Sequence, residues 1–387
     1  MADMVRGVRP SVLKWAREAQ GYSLEEVAAH LDRDVSVVLS WESGASSPTY
    51  AQLEKLAYKV YKRPLAVFFL PEPPKEPDVK GRFRTLPEFD LDNLSAHTRY
   101  QLRLGLVLQL SLKELNDGIN PAEKKIFQSI RLSVTDEAHE AAAKVRAFLG
   151  VSIQMQAEWR GVDEALKAWR LAVEDAGVFV FKNSFKQKEI SGFCLLDAEF
   201  PVIYINNSTT KTRQVFSLFH ELGHVLFGVF GISKFNQEYV DQLDLQQQQI
   251  ERFCNAFAAE VLIPSADFDR QIRQMDQFND QQVESLARRY RVSREAILRR
   301  LLDKGLVSQA IYDSKAAEWA GQAKEKGTGG DYYATQATYL GERYLQLVFG
   351  KHYQGKLSLE QVAEFLGVKT SSIPGLEDLA LRKAVPE

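Results

Sequence analysis

The chain has 387 residues, 45% of them hydrophobic and 26% charged, the proportions of a folded globular protein rather than a disordered or fibrous one. That length exceeds one ordinary core and predicts two or three domains. With 49 basic and 51 acidic side chains and a net charge of -2, no whole-chain field draws it to nucleic acid or an anionic membrane, so any DNA contact must be local. The two cysteines, Cys194 and Cys254, form no CxxC pattern, which argues against a disulfide framework or a cysteine zinc cluster and suits a reducing cytoplasm. The opening MADMVRGVRPSVLKW lacks the apolar core of a signal peptide, and no apolar run approaches the roughly 18 residues of a membrane span. A soluble cytoplasmic protein is expected.

From Pro10 to Leu70 the pattern predicts several short helices: SVLKWAREA, SLEEVAAHL, SVVLSWES and TYAQLEKLAYKVY. Ser23 and Thr49 read as N-caps, Glu26 completes a capping box with Ser23, and Gly21 and Gly44 stand where helices should stop. These make residues 1–70 a compact helical module. PEPPKEP then packs four prolines into residues 71–77, so 71–80 reads as a stiff linker. Helical periodicity returns in a connecting region, 81–150, and continues to about 175. GVFVFK, ISGFCLLD and PVIYIN follow as three predicted strands of a small antiparallel sheet. Helices resume from Thr212 to about Ala317, a flexible linker is expected over 318–330, and a helical region over 331–387. Its segment SLEQVAEFLGV echoes SLEEVAAHL, which either a partial internal repeat or the general likeness of amphipathic helices explains.

The chemistry concentrates in RQVFSLFHELGHVLFGVFG. Its H-E-L-G-H places His220 and His224 one helical turn apart on one face, so both imidazoles reach one tetrahedral ion, with Glu221 beside its open position. The surrounding helix is apolar on nearly every side, and buried histidines and a carboxylate need a partner such as a cation. Two hydrogen-bonded core histidines beside a solvated glutamate are the bland alternative. For a third ligand, IERFCNAFAAEVLIP offers Glu251 and Glu260, nine residues apart and so on opposite faces. Small neighbours Cys254, Asn255 and Ala258 would let the face of Glu251 approach the first helix at Gly223, which makes Glu251 the better ligand and leaves Glu260 a surface or capping carboxylate. Cys254 reads as a small buried thiol. Arg213, seven residues before His220, is a candidate for orienting substrate, although such an arginine more often pins neighbouring structure.

Taken together, AWRLAVEDAGVFVF, SGF, PVIYIN, RQVFSLFHELGHVL, E-x-x-C-N-A-F-A-A-E-V-L-I-P and VESLARRYRVSREAILRRLLDKGLV resemble the ImmA/IrrE family of bacterial metallopeptidases between Trp159 and about Tyr312. The resemblance implies a zincin-like domain, 151–317, with His220, His224 and Glu251 on Zn2+ and Glu221 as catalytic base. SLEEVAAHL, the turn near Arg33 to Val35, and W-E-S-G before Pro48 resemble the helix-turn-helix of Cro/repressor-type (XRE) regulators. The expected fold is therefore mainly α with a small antiparallel sheet (α+β). The resemblance also implies cleavage of a protein substrate, such as a helix-turn-helix repressor, or a role beside a toxin partner.

DNA binding is expected to be weak. Recognition helices read bases with Arg, Lys, Asn or Gln, whereas the corresponding stretch here offers only Ser36 and Ser40, with Ser43 just beyond. Residues 1–70 hold nine basic and eight acidic side chains, so the phosphate-binding contribution is small as well. A protein-docking role is the alternative. A second helix-turn-helix rhythm, 283–304, carries seven basic residues against three acidic ones and reads first as a solvated or substrate-binding face. The leading expectation is a zinc endopeptidase fused to a helix-turn-helix. The other is a DNA-binding repressor or antitoxin whose metal site is structural.

Overall fold

The computed structural model describes residues 4–75, 94–187, 189–234, 237–273, 275, 279–321 and 331–384. The chain forms two compact units, residues 1–104 and 105–387.

In the first unit α1 (Pro10–Gln20), α2 (Leu24–Leu31), α3 (Val35–Glu42) and α4 (Tyr50–Glu54) enclose a core of Val12, Leu13, Ala16, Val27, Ala28, Val38, Trp41, Leu53 and Leu56. The predicted punctuation holds. Ser23 and Thr49 form capping boxes with Glu26 and Gln52, and Gly21 and Gly44 take φ +80, which glycine adopts without strain. Arg17 grips Glu42 through both oxygens, at 2.8 and 3.0 Å, which ties α1 to α3. α4 continues into a π turn over Lys55–Val60 and a short 3-10 segment follows at Leu65–Phe69. Of the expected linker, residues 71–75 have no regular structure and 76–80 lie outside the described residues, as do 81–93 of the connecting region.

Beyond it lie α5 (Ala96–Leu115), the short α6 (Ile126–Ser129), α7 (Ala138–Leu149), α8 (Ile153–Glu158) and α9 (Val162–Asp175), then β1 (Phe179–Asn183), β2 (Ile190–Leu195) and β3 (Val202–Asn206). The sheet differs from expectation in two ways. It is mixed rather than antiparallel, in the order β1-β3-β2-β4, because β3 lies between β1 and β2 and pairs in parallel with β1. Its fourth strand, β4 (Gly231–Lys234), falls where only helices were expected. Short apolar runs cannot reveal pairing direction. The burial of both faces of β2 and β3 is the condition under which parallel pairing is tolerated. Val180, Cys194, Ile203 and Ile205 face the main core, while Phe181, Phe193 and Tyr204 stack on the other face beside Gly105 of α5.

After β3 come α10 (Lys211–Phe227), α11 (Gln237–Gln242), α12 (Leu245–Leu262), α13 (Ser265–Ile272), α14 (Asp280–Tyr290), α15 (Arg294–Asp303) and α16 (Gln309–Gly321). Helix therefore occupies 318–321 of the expected flexible linker, and 322–330 lies outside the described residues. The C-terminal helices are α17 (Tyr332–Leu340), α18 (Glu342–Tyr353), α19 (Leu359–Leu366) and α20 (Ile373–Ala384). Buried Arg170 of α9 anchors them, donating to the Thr338 and Leu340 carbonyls at 2.7 and 3.0 Å, and Tyr344 sets its ring edge-on to Phe181 of β1.

The echo between the two chain ends is a local structural repeat. Ser23 and Ser358 each close a capping box on an eight-residue helix, and Val27, Ala28 and Leu31 are buried as Val362, Ala363 and Leu366 are. Asp32 and Gly367 both turn left-handed, and the next amide donates to the Ala28 or Ala363 carbonyl at 3.0 Å in both. The turn from α14 to α15 has the same form around Arg291.

Candidate metal centre

Helix α10 starts on Thr210, whose side chain accepts from the Arg213 amide, and ends on left-handed Gly228. Its apolar residues Val215, Leu218, Phe219, Leu222 and Leu226 bury it on nearly all sides. His220, Glu221 and His224 are therefore held out of water, at 2%, 0% and 2% exposure. α12, capped by Asp244, brings Glu251 to them. A Cβ on Gly223 would lie 2.9 Å from Cys254 Sγ, so the two helices meet where the small residues permit.

His220 Nε2 lies 3.1 Å from His224 Nε2, and the two nitrogens lie 3.2 Å from separate oxygens of Glu251. A tetrahedral zinc with bonds of about 2.0–2.1 Å needs its ligand atoms about 3.3 Å apart, so these separations fit one ion. Two imidazoles and a carboxylate aim lone pairs at one buried point, an arrangement that a cation or proton must complete.

The two carboxylates beside this point differ. Burial pushes Glu251 up, but the charges of His224 and His220 and their hydrogen bonds outweigh it and hold its carboxyl well below the usual range. Glu221 is pushed up to about 8, chiefly by burial, with His220 and the Ser233 hydroxyl opposing. Among the described residues neither Glu221 oxygen has a partner in full hydrogen-bond geometry, the Ser233 hydroxyl being a near neighbour only. One carboxylate is thus favoured as an anion and its neighbour as the holder of a proton, the kind of division an acid–base site uses.

Three further residues support the site, none of which the sequence reading assigns a role beside the metal ligands. Asn255 Oδ1 meets His220 Nδ1 at 3.0 Å. A Cβ on Gly231 of β4 would lie 2.9 Å from the His224 ring, and one on Gly192 of β2 would lie 3.2 Å from Glu221 Oε1. Spacing could have found Asn255, four residues after Glu251 and so on the same face of α12. Strand pairing alone brings the glycines there.

The other candidates do not join the ligand set. Glu260 accepts from the Ser265 hydroxyl at 2.6 Å and from Arg300 at 2.5 Å, holding the start of α13. Cys254 is buried, and burial pushes its thiol well up. Arg213 is exposed in the first turn of α10, about 10 Å along the helix from His220, and Glu295 is the carboxylate whose charge opposes its burial. Of the arginines in 283–304, Arg289 holds Asp267, Arg291 holds the Ala157 carbonyl and Arg294 covers Trp319, whereas Arg288 and Arg299 remain largely exposed, as a solvated face would have them. Ser36 is exposed on α3. The Ser40 hydroxyl is bonded to the Val37 carbonyl and to Ser46, and that of Ser43 to the Ser40 carbonyl. Between residues 22 and 43 Glu25, Glu26, Asp32, Asp34 and Glu42 face a single basic residue, Arg33, a formal charge of -4.

Residues 173–302 match the peptidase family described as the IrrE N-terminal-like domain, and residues 13–58 match the helix-turn-helix family. No curated protein matches the sequence. The chain joins a peptidase-family domain to a helix-turn-helix domain. Among the described residues no helix is long and apolar enough to cross a membrane.

Proposed function

We propose that the chain is a zinc-dependent endopeptidase that cleaves a specific regulatory protein, with residues 151–317 as the catalytic domain and 1–70 as its helix-turn-helix module. The convergence of His220, His224 and Glu251 at tetrahedral spacing beside buried Glu221 carries this reading. Imidazole and carboxylate donors make zinc the default ion, and when bound it supplies Lewis acidity to a peptide carbonyl and acidifies a water. Glu221 takes the proton from the attacking water on its carboxylate and delivers it to the leaving amine nitrogen. Glu251 stays ionised and keeps both Nε2 atoms turned to the same point. Arg213 retains a place only as an outlying substrate contact. The free, buried thiols suit a reducing cytoplasm.

For the helix-turn-helix we propose a protein partner, such as a repressor or a toxin, because the charge of -4 across residues 22–43, still -3 once Arg17 pairs with Glu42, repels phosphate. The other reading, a DNA-binding repressor or antitoxin with a structural metal, draws on the helix-turn-helix match. It keeps Ser36, Ser40 and Ser43 as contacts, and requires that substitutions within 33–43 abolish function while changes at Glu221 are silent. Elemental analysis of the full chain tests the leading reading. About one zinc per chain is expected, reduced in both His220→Ala and Glu251→Ala. A folded wild type that takes up no added zinc would overturn it.

A further inference from the structure

We infer that Asn255 is a positioning residue for the metal centre: its side-chain carbonyl selects the tautomer of His220 and sets its ring plane. The inference rests on the metal-centre reading and adds to it a residue outside the ligand set.

A neutral imidazole carries one N–H. Asn255 Oδ1, 3.0 Å from His220 Nδ1, accepts a proton placed there, and that tautomer is the one that frees the Nε2 lone pair for an ion between His224 and Glu251. Without this acceptor the proton could occupy Nε2 and block coordination. The geometry is rigid for a reason visible in the helix. Glu251 and Asn255 are one turn apart on α12, so a single turn delivers the third ligand and the group that orients the first. That turn is pressed onto α10 by Cys254 against Gly223, the residue before Asn255 making the close approach.

His224 is held differently. Its Nδ1 has no hydrogen-bond partner among the described residues, and its ring packs on the backbone of Gly231. The two imidazoles thus depend on different devices, a hydrogen bond for one and contact for the other, and removing Asn255 should disturb His220 alone.

The experiment compares wild type, Asn255→Leu and Asn255→Asp in the full chain. Nitrogen NMR of the metal-free protein reads the ring tautomers, and chelator competition reads zinc affinity. Asn255→Leu should let His220 populate the Nε2–H form, leave His224 unchanged, and weaken zinc binding about 10–100-fold. Asn255→Asp, which keeps an acceptor, should restore both. Should leucine unfold the chain, Asn255→Ala removes the acceptor without added bulk and carries the same expectation. An unchanged His220 tautomer and zinc affinity in a folded Leu or Ala variant would overturn the inference. A wild type that binds no zinc while Asn255 still governs the tautomer would overturn the metal-centre reading instead.

Discussion

The helix-turn-helix and the α10–α12 pair are built from the same parts and reach opposite results. Both use capped amphipathic helices: Ser23 and Asp34 in the first, Thr210 and Asp244 in the second. On α3, however, the Ser40 and Ser43 hydroxyls are satisfied within their own turn, and the exposed remainder includes Leu39 at 52%. On α10 and α12 the polar groups come from two helices, converge in a buried place, and leave Glu221, among the described residues, without a partner in full hydrogen-bond geometry. Chemistry is to be sought where burial leaves polar demand unmet, because locally satisfied groups have little to offer a ligand.

The largest effect that could break this contrast is at Glu221. In Glu221→Gln the three ligand atoms are untouched but the proton acceptor is gone. Cleavage of a fluorogenic peptide library should fall about 10²- to 10⁴-fold while zinc content holds. Equal cleavage would show that the unmet demand of this carboxylate is incidental.

A smaller effect separates buried polarity that serves chemistry from buried polarity that only costs stability. Lys182 of β1 is buried, donates to Gln214 at 3.1 Å, and is pushed down to about 7, first by burial and then by the positive charges of Arg170 and Lys211. Between pH 7 and about 10.5 the unfolded chain holds a proton that the folded chain lacks, so stability rises with pH across that window and is lower below it. Lys182→Met should remove this rise and stabilise the protein by about 1–3 kcal/mol at pH 6, with little gain near pH 10. Denaturant midpoints across pH give the answer, and a destabilised variant at pH 6 would assign the lysine a supporting role.

The smallest test concerns local satisfaction itself. Ser23→Ala and Ser358→Ala remove equivalent caps and should each cost about 1 kcal/mol, without change in zinc content. Thermal unfolding of the two variants should show similar shifts if the repeated turn is a local device. Unequal shifts would show that tertiary surroundings decide its worth.

Much of the site was legible because its rules are local. Histidines four apart share a helix face whatever surrounds them, and the choice of Glu251 over Glu260 followed from which face bore small residues; in the structure Glu260 instead meets Arg300 and Ser265. The same locality made Ser23, Thr49, Gly21 and Gly44 readable as helix ends. The basic stretch 283–304 was harder to read, since its arginines find Asp267, Ala157 and Trp319 from other segments.

By itself the sequence determined the helices, their caps and the placement of His220, Glu221 and His224 on one turn, because hydrogen bonds and side-chain directions within a helix depend on residues three or four apart. Only the tertiary structure decided that β3 lies parallel to β1, that β4 exists, that Gly231 and Gly192 back His224 and Glu221, and that Asn255 meets His220. Those choices join segments tens of residues apart. They are selected by which faces can be buried together, a property of the whole packed core that no short window of sequence contains.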